Sequence, residues 1–331
     1  MRDPSDWCFV SGVVSAREGQ LFADSFYSAL LSSVTIEEVF VAVTDTPLKD
    51  AFPRASALTD ADAIVSQRAH HELVELRRYC PDPLVVDMFL LRNEFYNVKG
   101  YLKEKLAELS VETVPDGRVS RDDVERLWEA LETPFDDVLA APVRRLRALA
   151  SEPPVDVATL VDWVMDAAYL DWSIRAARGI GSPLIERYVE RWAVLSAVGM
   201  FWRARDAGIE AARLVPIVLV GELARVDLRE VCTADAEQRP ALLARFMPEA
   251  FVQSIFAGEA AELMERFQVE VDRYLVGLAR EMKHVPFGPE RVFGYLSGLT
   301  RQTHNLRLCF AGRANRIEPA LLKRRLRESY A

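Results

Sequence analysis

The sequence predicts an all-α fold built from three tandem helical units related to one another. Apolar residues recur at helical spacing in three long segments. Each segment stops at a proline or glycine corner, and a second long helix follows with large apolar residues at matching places. No segment sustains the period-2 alternation of β-branched residues that a sheet requires. The nearest, Val39 to Val43 and Ile217 to Val220, are short and sit in helix-compatible surroundings.

In the first unit Val65, Ala69, Leu73, Leu76 and Cys80 fall on one stripe of a helix, because their spacings of three and four residues return to the same face. The third unit repeats this with Leu263, Phe267, Val271, Tyr274, Leu278 and Met282. The corresponding segment of the second unit, Val157 to Arg178, is apolar on more than one side and carries Trp163 and Trp172, which predicts deeper burial of that helix. The three helices stop at Pro81-Asp-Pro83, at Gly179-Ile-Gly181-Ser-Pro183 and at Pro286-Phe-Gly288-Pro289. Proline cannot continue the helix before it but opens a new one well, so each break reads as a tight corner.

The helices after the corners align on Asn97, Ala197 and Asn305. Five residues on stand Leu102, Trp202 and Phe310, and twelve residues on stand Leu109, Ile209 and Ile317. A second echo lies upstream, where Asp45-Thr-Pro-Leu-Lys-Asp50 is similar to Glu132-Thr-Pro-Phe-Asp-Asp137. These matches divide the chain into an N-terminal segment at 1–14 and units at 15–110, 120–215 and 225–331.

With 331 residues, 50% of them hydrophobic and 27% charged, the chain has the composition of a globular protein able to bury a large core. A net charge of -9 opposes nucleic-acid binding, which needs clustered cations to release counterions from the phosphate backbone. Lys323-Arg324-Arg325 form one basic run, with Arg327 beside it; the run reads either as a solvated helix face or as a contact for acidic lipid or an acidic partner. Cys8, Cys80, Cys232 and Cys309 are scattered without a CxxC pair, the pattern of reduced thiols. The opening residues Met1 to Trp7 are polar and acidic, unlike a signal peptide. The longest apolar stretch, Leu214 to Val220, is far shorter than the ~20 residues a membrane helix needs, so any membrane association is expected through a partner or a surface.

The usual catalytic constellations are missing. No GxxxxGK[ST] or GxGxxG loop is present to cradle nucleotide phosphates, and HExxH and GxSxG are absent too. His70 and His71 are adjacent and point about 100° apart on a helix, a poor pair for one ion; His284 and His304 lie without a flanking cluster of carboxylates or cysteines. Asp122-Asp123 and Asp136-Asp137 are halves of the DDxxD pattern by which helical prenyl synthases hold magnesium, and both lack the acidic fifth residue. The first pair fits a helix start better, with Ser120 as cap and the carboxylates at the positive end of the dipole. Neither a cofactor nor a metal is expected.

Leu90-Leu-Arg-Asn-Glu-Phe-Tyr-Asn-Val-Lys99 resembles the LLRNxxxNL signature of the C/d family of V- and A-type ATPases. Ala16-Arg17 with Leu21, Phe22, Phe26 and Leu30-Leu31 is similar to that family's N-terminal segment, and His304-Asn-Leu-Arg307 to its third-repeat counterpart. The second unit departs from the pattern, with Ala197-Val198-Gly199 where Asn-Leu-Arg would stand. The resemblance implies a funnel-shaped, pseudo-threefold helical body without catalytic activity, held at the cytoplasmic face of the membrane. It also implies partners: central-stalk subunits of the D/F type and the proteolipid rotor ring, between which rotation is transmitted.

On that reading Asn93, Asn97, Gly100 and Glu104 form a polar helix stripe which, with Arg92, Lys99, Arg203, Asn305 and Arg307, either faces the stalk or holds the loops between repeats. A helical-repeat adaptor of another complex and a divergent helical enzyme are the competing readings.

Overall fold

A computed structural model describes residues 3–33, 35–52, 60–111, 117–130, 137–153 and 155–331. Glu132 to Asp136, and with them most of the second TP echo and half of the Asp136-Asp137 pair, lie outside the described residues. Every regular element among the described residues is a helix, as the periodicity predicts. The chain opens with α1 (Cys8–Glu18), α2 (Asp24–Ser32), α3 (Ile36–Thr44), α4 (Ala61–Tyr79), α5 (Leu84–Ala107), α6 (Arg121–Trp128) and α7 (Asp137–Leu149). It continues through α8 (Val157–Ile180), α9 (Pro183–Asp206), α10 (Ala211–Val218), α11 (Gly221–Arg225), α12 (Arg229–Thr233), α13 (Arg239–Leu243) and α14 (Glu249–Phe256). The last are α15 (Leu263–Glu281), α16 (Pro289–Ala314) and α17 (Pro319–Arg325). The contacts divide the chain into two compact units, one of residues 1–87 and 272–331 and the other of residues 88–271.

Breakers set these boundaries. Between α8 and α9, Ile180 is followed by Gly181 at φ 74°, a left-handed conformation that glycine adopts without a Cβ penalty, and Ser182 then accepts a hydrogen bond from the Ile185 N–H. Pro183 opens α9 where a backbone N–H would have no helical partner. Between α4 and α5, Arg77 grips Asp87 through Nε–Oδ1 and Nη2–Oδ2 contacts of 2.5 and 3.0 Å.

In the unit of residues 88–271, α8 packs against α7, α9, α10 and α11, which is why it is apolar on more than one side. Trp202, 1% exposed, packs tilted against Phe267 at 4.9 Å and edge-on to Phe256 at 5.9 Å, with the Arg239 guanidinium over its ring at 4.9 Å. In the other unit α2, α3, α4, α16 and α17 share a core that includes Tyr27, Val43, Phe52, Val65, Phe310 and Leu322. Leu102, Trp202 and Phe310, the residues five places past Asn97, Ala197 and Asn305, are all buried, each stabilising the fold by about 1.5–3 kcal/mol relative to exposure.

The residues twelve places on behave differently: Leu109 and Ile317 are only partly covered, 47% and 41% exposed. They lie beyond the helix ends and belong to the stop signal. Glu108, Gly208 and Arg316, each eleven residues past the aligned positions, have φ of 56°, 78° and 54°. In α9 the Gly208 N–H bonds the Arg205 C=O and the Ile209 N–H the Ala204 C=O. In α16 the Arg316 and Ile317 N–H groups bond Arg313 and Gly312 in the same way. This is the Schellman stop, in which the following apolar residue covers the last turn. In α5 the Leu109 N–H reaches Lys103 at 3.4 Å instead.

α16 also carries close-approach glycines. A Cβ on Gly298 would lie 2.6 Å from Tyr330, and one on Gly312 2.3 Å from Leu322, so the C-terminal segment lies flush on the helix.

Candidate functional site

α5 and α8 face each other through charge. Lys99 binds Asp166 at 2.6 Å and Asp162 at 3.5 Å, and Lys103 binds Asp162 at 2.7 Å. Both pairs are spaced i, i+4, and the pairing of the earlier lysine with the later aspartate makes the two helices run antiparallel here. Desolvation opposes the Lys99 ammonium, but Asp166 and then Asp162 outweigh it and hold its pKa above the usual lysine value. Burial raises the Asp166 carboxyl against the pull of Lys99. Yet Asp166 leaves 42% of its side chain open to solvent. Packed among protein atoms yet open to water, Asp166 lines a wetted wall whose access to solvent screens its pairing with Lys99.

Arg203 continues this wall. It makes no ion pair among the described residues, and desolvation lowers its pKa while Asp166 draws it the other way. Tyr169 donates its hydroxyl proton to the Met88 carbonyl at 2.7 Å, and burial pushes its pKa up to about 12. Its ring sits 5.4 Å from Phe95 and 5.5 Å from Trp192, giving a rigid aromatic base; Arg92 lies nearby and is exposed. Asn93 is half-buried on the same helix. The arrangement offers two solvated guanidiniums, Arg92 and Arg203, around an internally neutralised Lys–Asp ladder, a surface suited to docking rather than proton transfer.

The asparagines have turned inward. Asn97 is 2% exposed and lies against Gly117, where a Cβ would approach its Nδ2 to 2.2 Å. Beside it Glu94, also 2% exposed, accepts hydrogen bonds from the Arg118 N–H at 2.9 Å and the Val119 N–H at 3.1 Å. Asn305 is fully buried and pairs with one backbone residue: its Nδ2 donates to the Arg327 C=O at 2.7 Å, and its Oδ1 accepts from the Arg327 N–H at 2.9 Å. Ala197, their counterpart, is buried without such a hook. Arg307 ties α16 to α4 through Asp62, with contacts of 2.5 and 2.9 Å. Arg17 reaches Glu75 at 2.8 Å and Glu72 at 3.5 Å.

Lys323, Arg324 and Arg325 are exposed on α17 and make no ion pair among the described residues. Sequence reasoning passed over Glu94, Asp162 and Asp166. The signal for Glu94 was a carboxylate within the stripe Leu91, Phe95, Val98, Leu102, and for the aspartates an acidic i, i+4 pair on an otherwise apolar helix.

No cluster of three or more His, Cys, Asp or Glu able to hold a metal occurs among the described residues. Ser120 caps α6 as expected, in a reciprocal capping box with Asp123, and Asp122 and Asp123 both lie in the first turn, at the positive end of the helix dipole. Cys80, Cys232 and Cys309 are buried free thiols, each pushed up to about 12 by desolvation. No described helix is long and apolar enough to cross a membrane.

Comparison with known proteins is consistent with the resemblance in the α5 signature. The C subunit of the V-type sodium ATPase of Enterococcus hirae is 20% identical over 332 aligned positions, covering 96% of this chain and 97% of that protein. The model of the family described as ATP synthase (C/AC39) subunit matches residues 10–325. The chain therefore belongs to the ATP synthase (C/AC39) subunit family of the V- and A-type rotary ATPases.

Proposed function

We propose that this chain is the non-catalytic coupling spacer of a V/A-type rotary ATPase, joining the D/F-type central stalk to the proteolipid ring and passing rotation between them. It is a cytoplasmic, peripheral component attached to the membrane through the ring. The observation that carries this reading is the family match across residues 10–325, nearly the whole chain. Torque transmission demands stiffness, and the recurring features favour it: a buried large residue five places past the aligned position, and a left-handed stop eleven places past it, in every unit. Three tandem repeats at 15–110, 120–215 and 225–331 forming a funnel account for that recurrence.

Within this reading the wall of Arg92, Lys99 and Arg203 receives the stalk, while Asn97, Asn305 and Arg307 brace the repeats. The test is affinity purification of a tagged chain from its own membranes. Stalk and ring subunits are expected in stoichiometric amounts, and recovery with an unrelated assembly instead would reject the proposal in favour of a helical adaptor.

A further inference from the structure

Where α17 leaves α16, a cleft opens beside α2. Leu322 seats on Gly312, and this close approach brings α17 against α16 while α2 closes the other side. The cleft, about 340 Å³, is walled by Leu31, Pro319 and Ala320 and edged by Ser28, Arg313 and Lys323. That volume is at the small end of ligand pockets. Its polarity is uneven: most of its open surface is apolar, and two cations, Arg313 and Lys323, are among the residues that line it.

Two further observations point to a ligand. Arg313 lines the cleft and forms no ion pair among the described residues, and its Nη2 is buried without a hydrogen-bond partner, a costly state for a guanidinium N–H. And the stretch 313–325 holds Arg313, Arg316, Lys323, Arg324 and Arg325 against Glu318 alone, in a chain of net charge -9. None of the five cations forms an ion pair among the described residues. Ile317 and Leu321, 41% and 51% exposed, project among them. Cations interleaved with exposed aliphatic residues are the composition of a surface that meets an acidic lipid leaflet.

We propose that this cleft binds the phosphate of an anionic phospholipid, with Arg313 and Lys323 holding the phosphate, the Ser28 hydroxyl donating to it, and the first acyl or glycerol carbons lying on Leu31 and Pro319. The site needs no partner protein, so the isolated chain tests it independently of the coupling role.

The probe is dihexanoylphosphatidylglycerol below its micellar concentration, titrated calorimetrically into the full chain, with dihexanoylphosphatidylcholine and inorganic phosphate as comparators. One lipid should bind per chain, at least tenfold more tightly than either comparator. Ala320→Trp, an exposed position, fills the cleft with every charge kept and should weaken binding at least tenfold. Lys323→Glu, also exposed, should do the same, while the double change Arg324→Gln, Arg325→Gln, outside the cleft, should leave it within about twofold. Failure of the wild-type chain to bind the lipid would overturn the proposal, as would phosphate binding as tightly or Ala320→Trp binding unchanged; the last result would reduce the contact to diffuse charge.

Discussion

Replacing Gly298 with alanine should change stability in opposite directions in two backgrounds. In the intact chain the new Cβ would lie 2.6, 2.7 and 2.9 Å from Cδ1, Cγ and Cβ of Tyr330, too close for any of them to remain. Tyr330 is 2% exposed; its hydroxyl donates to Glu18 at 2.9 Å and its ring lies 4.3 Å beneath the Lys283 ammonium. Losing a buried aromatic side chain costs about 3–5 kcal/mol, and a partly displaced ring forfeits a share of that. Against it stands a gain of about 1 kcal/mol from alanine's helix propensity. The net expectation is a loss of about 1–3 kcal/mol. In a chain ending at Ser329 the three nearest atoms are gone, so the same substitution should stabilise by up to about 1 kcal/mol. Urea unfolding of the four proteins in this cycle gives the coupling directly. If Gly298→Ala destabilises both backgrounds equally, docking of the C-terminal segment on α16 is not what the glycine is for.

Three other outcomes follow from the same structure. Asn305→Ala should cost about 2–3 kcal/mol in urea unfolding, because it strands the N–H and C=O of Arg327. Gly208→Ala should cost about 1 kcal/mol from backbone strain alone, nothing lying within 4 Å of the added Cβ, while Arg316→Gly at the equivalent stop should be neutral or stabilising. The pKa of Lys99 is raised in the folded chain, so its contribution is complete below its ordinary value near pH ~10.4 and lost as pH climbs through the higher folded value. The stability advantage of wild type over Lys99→Met should thus persist at pH 7 and fade only above about pH 10, and an advantage already gone at pH 8 would contradict the ladder.

How much of this could be read in advance divides along physical lines. The long helices and their corners were legible because burial imposes a period and proline and glycine impose stops; α4, α8, α9 and α16 begin or end within a few residues of the breakers that announced them. The recurrence of Leu109, Ile209 and Ile317 was visible as a pattern, but its meaning was not. An apolar residue that covers a helix end has the same one-letter signature as one that fills a core, and only the positive φ beside it tells them apart.

Asn97 and Asn305 could be picked out by their positions without showing whether they face solvent or backbone. What decides is where a later loop returns, residues 117–119 for the first and 326–330 for the second, and that is a long-range fact. The Lys99–Asp166 ladder was half visible, since one helix supplied the lysine while its partner lay on another helix 67 residues further along the chain.

The coupling role is tested most directly by the ratio of ions moved to ATP hydrolysed in sealed vesicles carrying the complete ATPase, assembled with and without this chain. The account predicts that, without it, ATP is still split but ion transport collapses, and that adding the purified chain back restores transport. Ion transport that proceeds at the full ratio in its absence would contradict it.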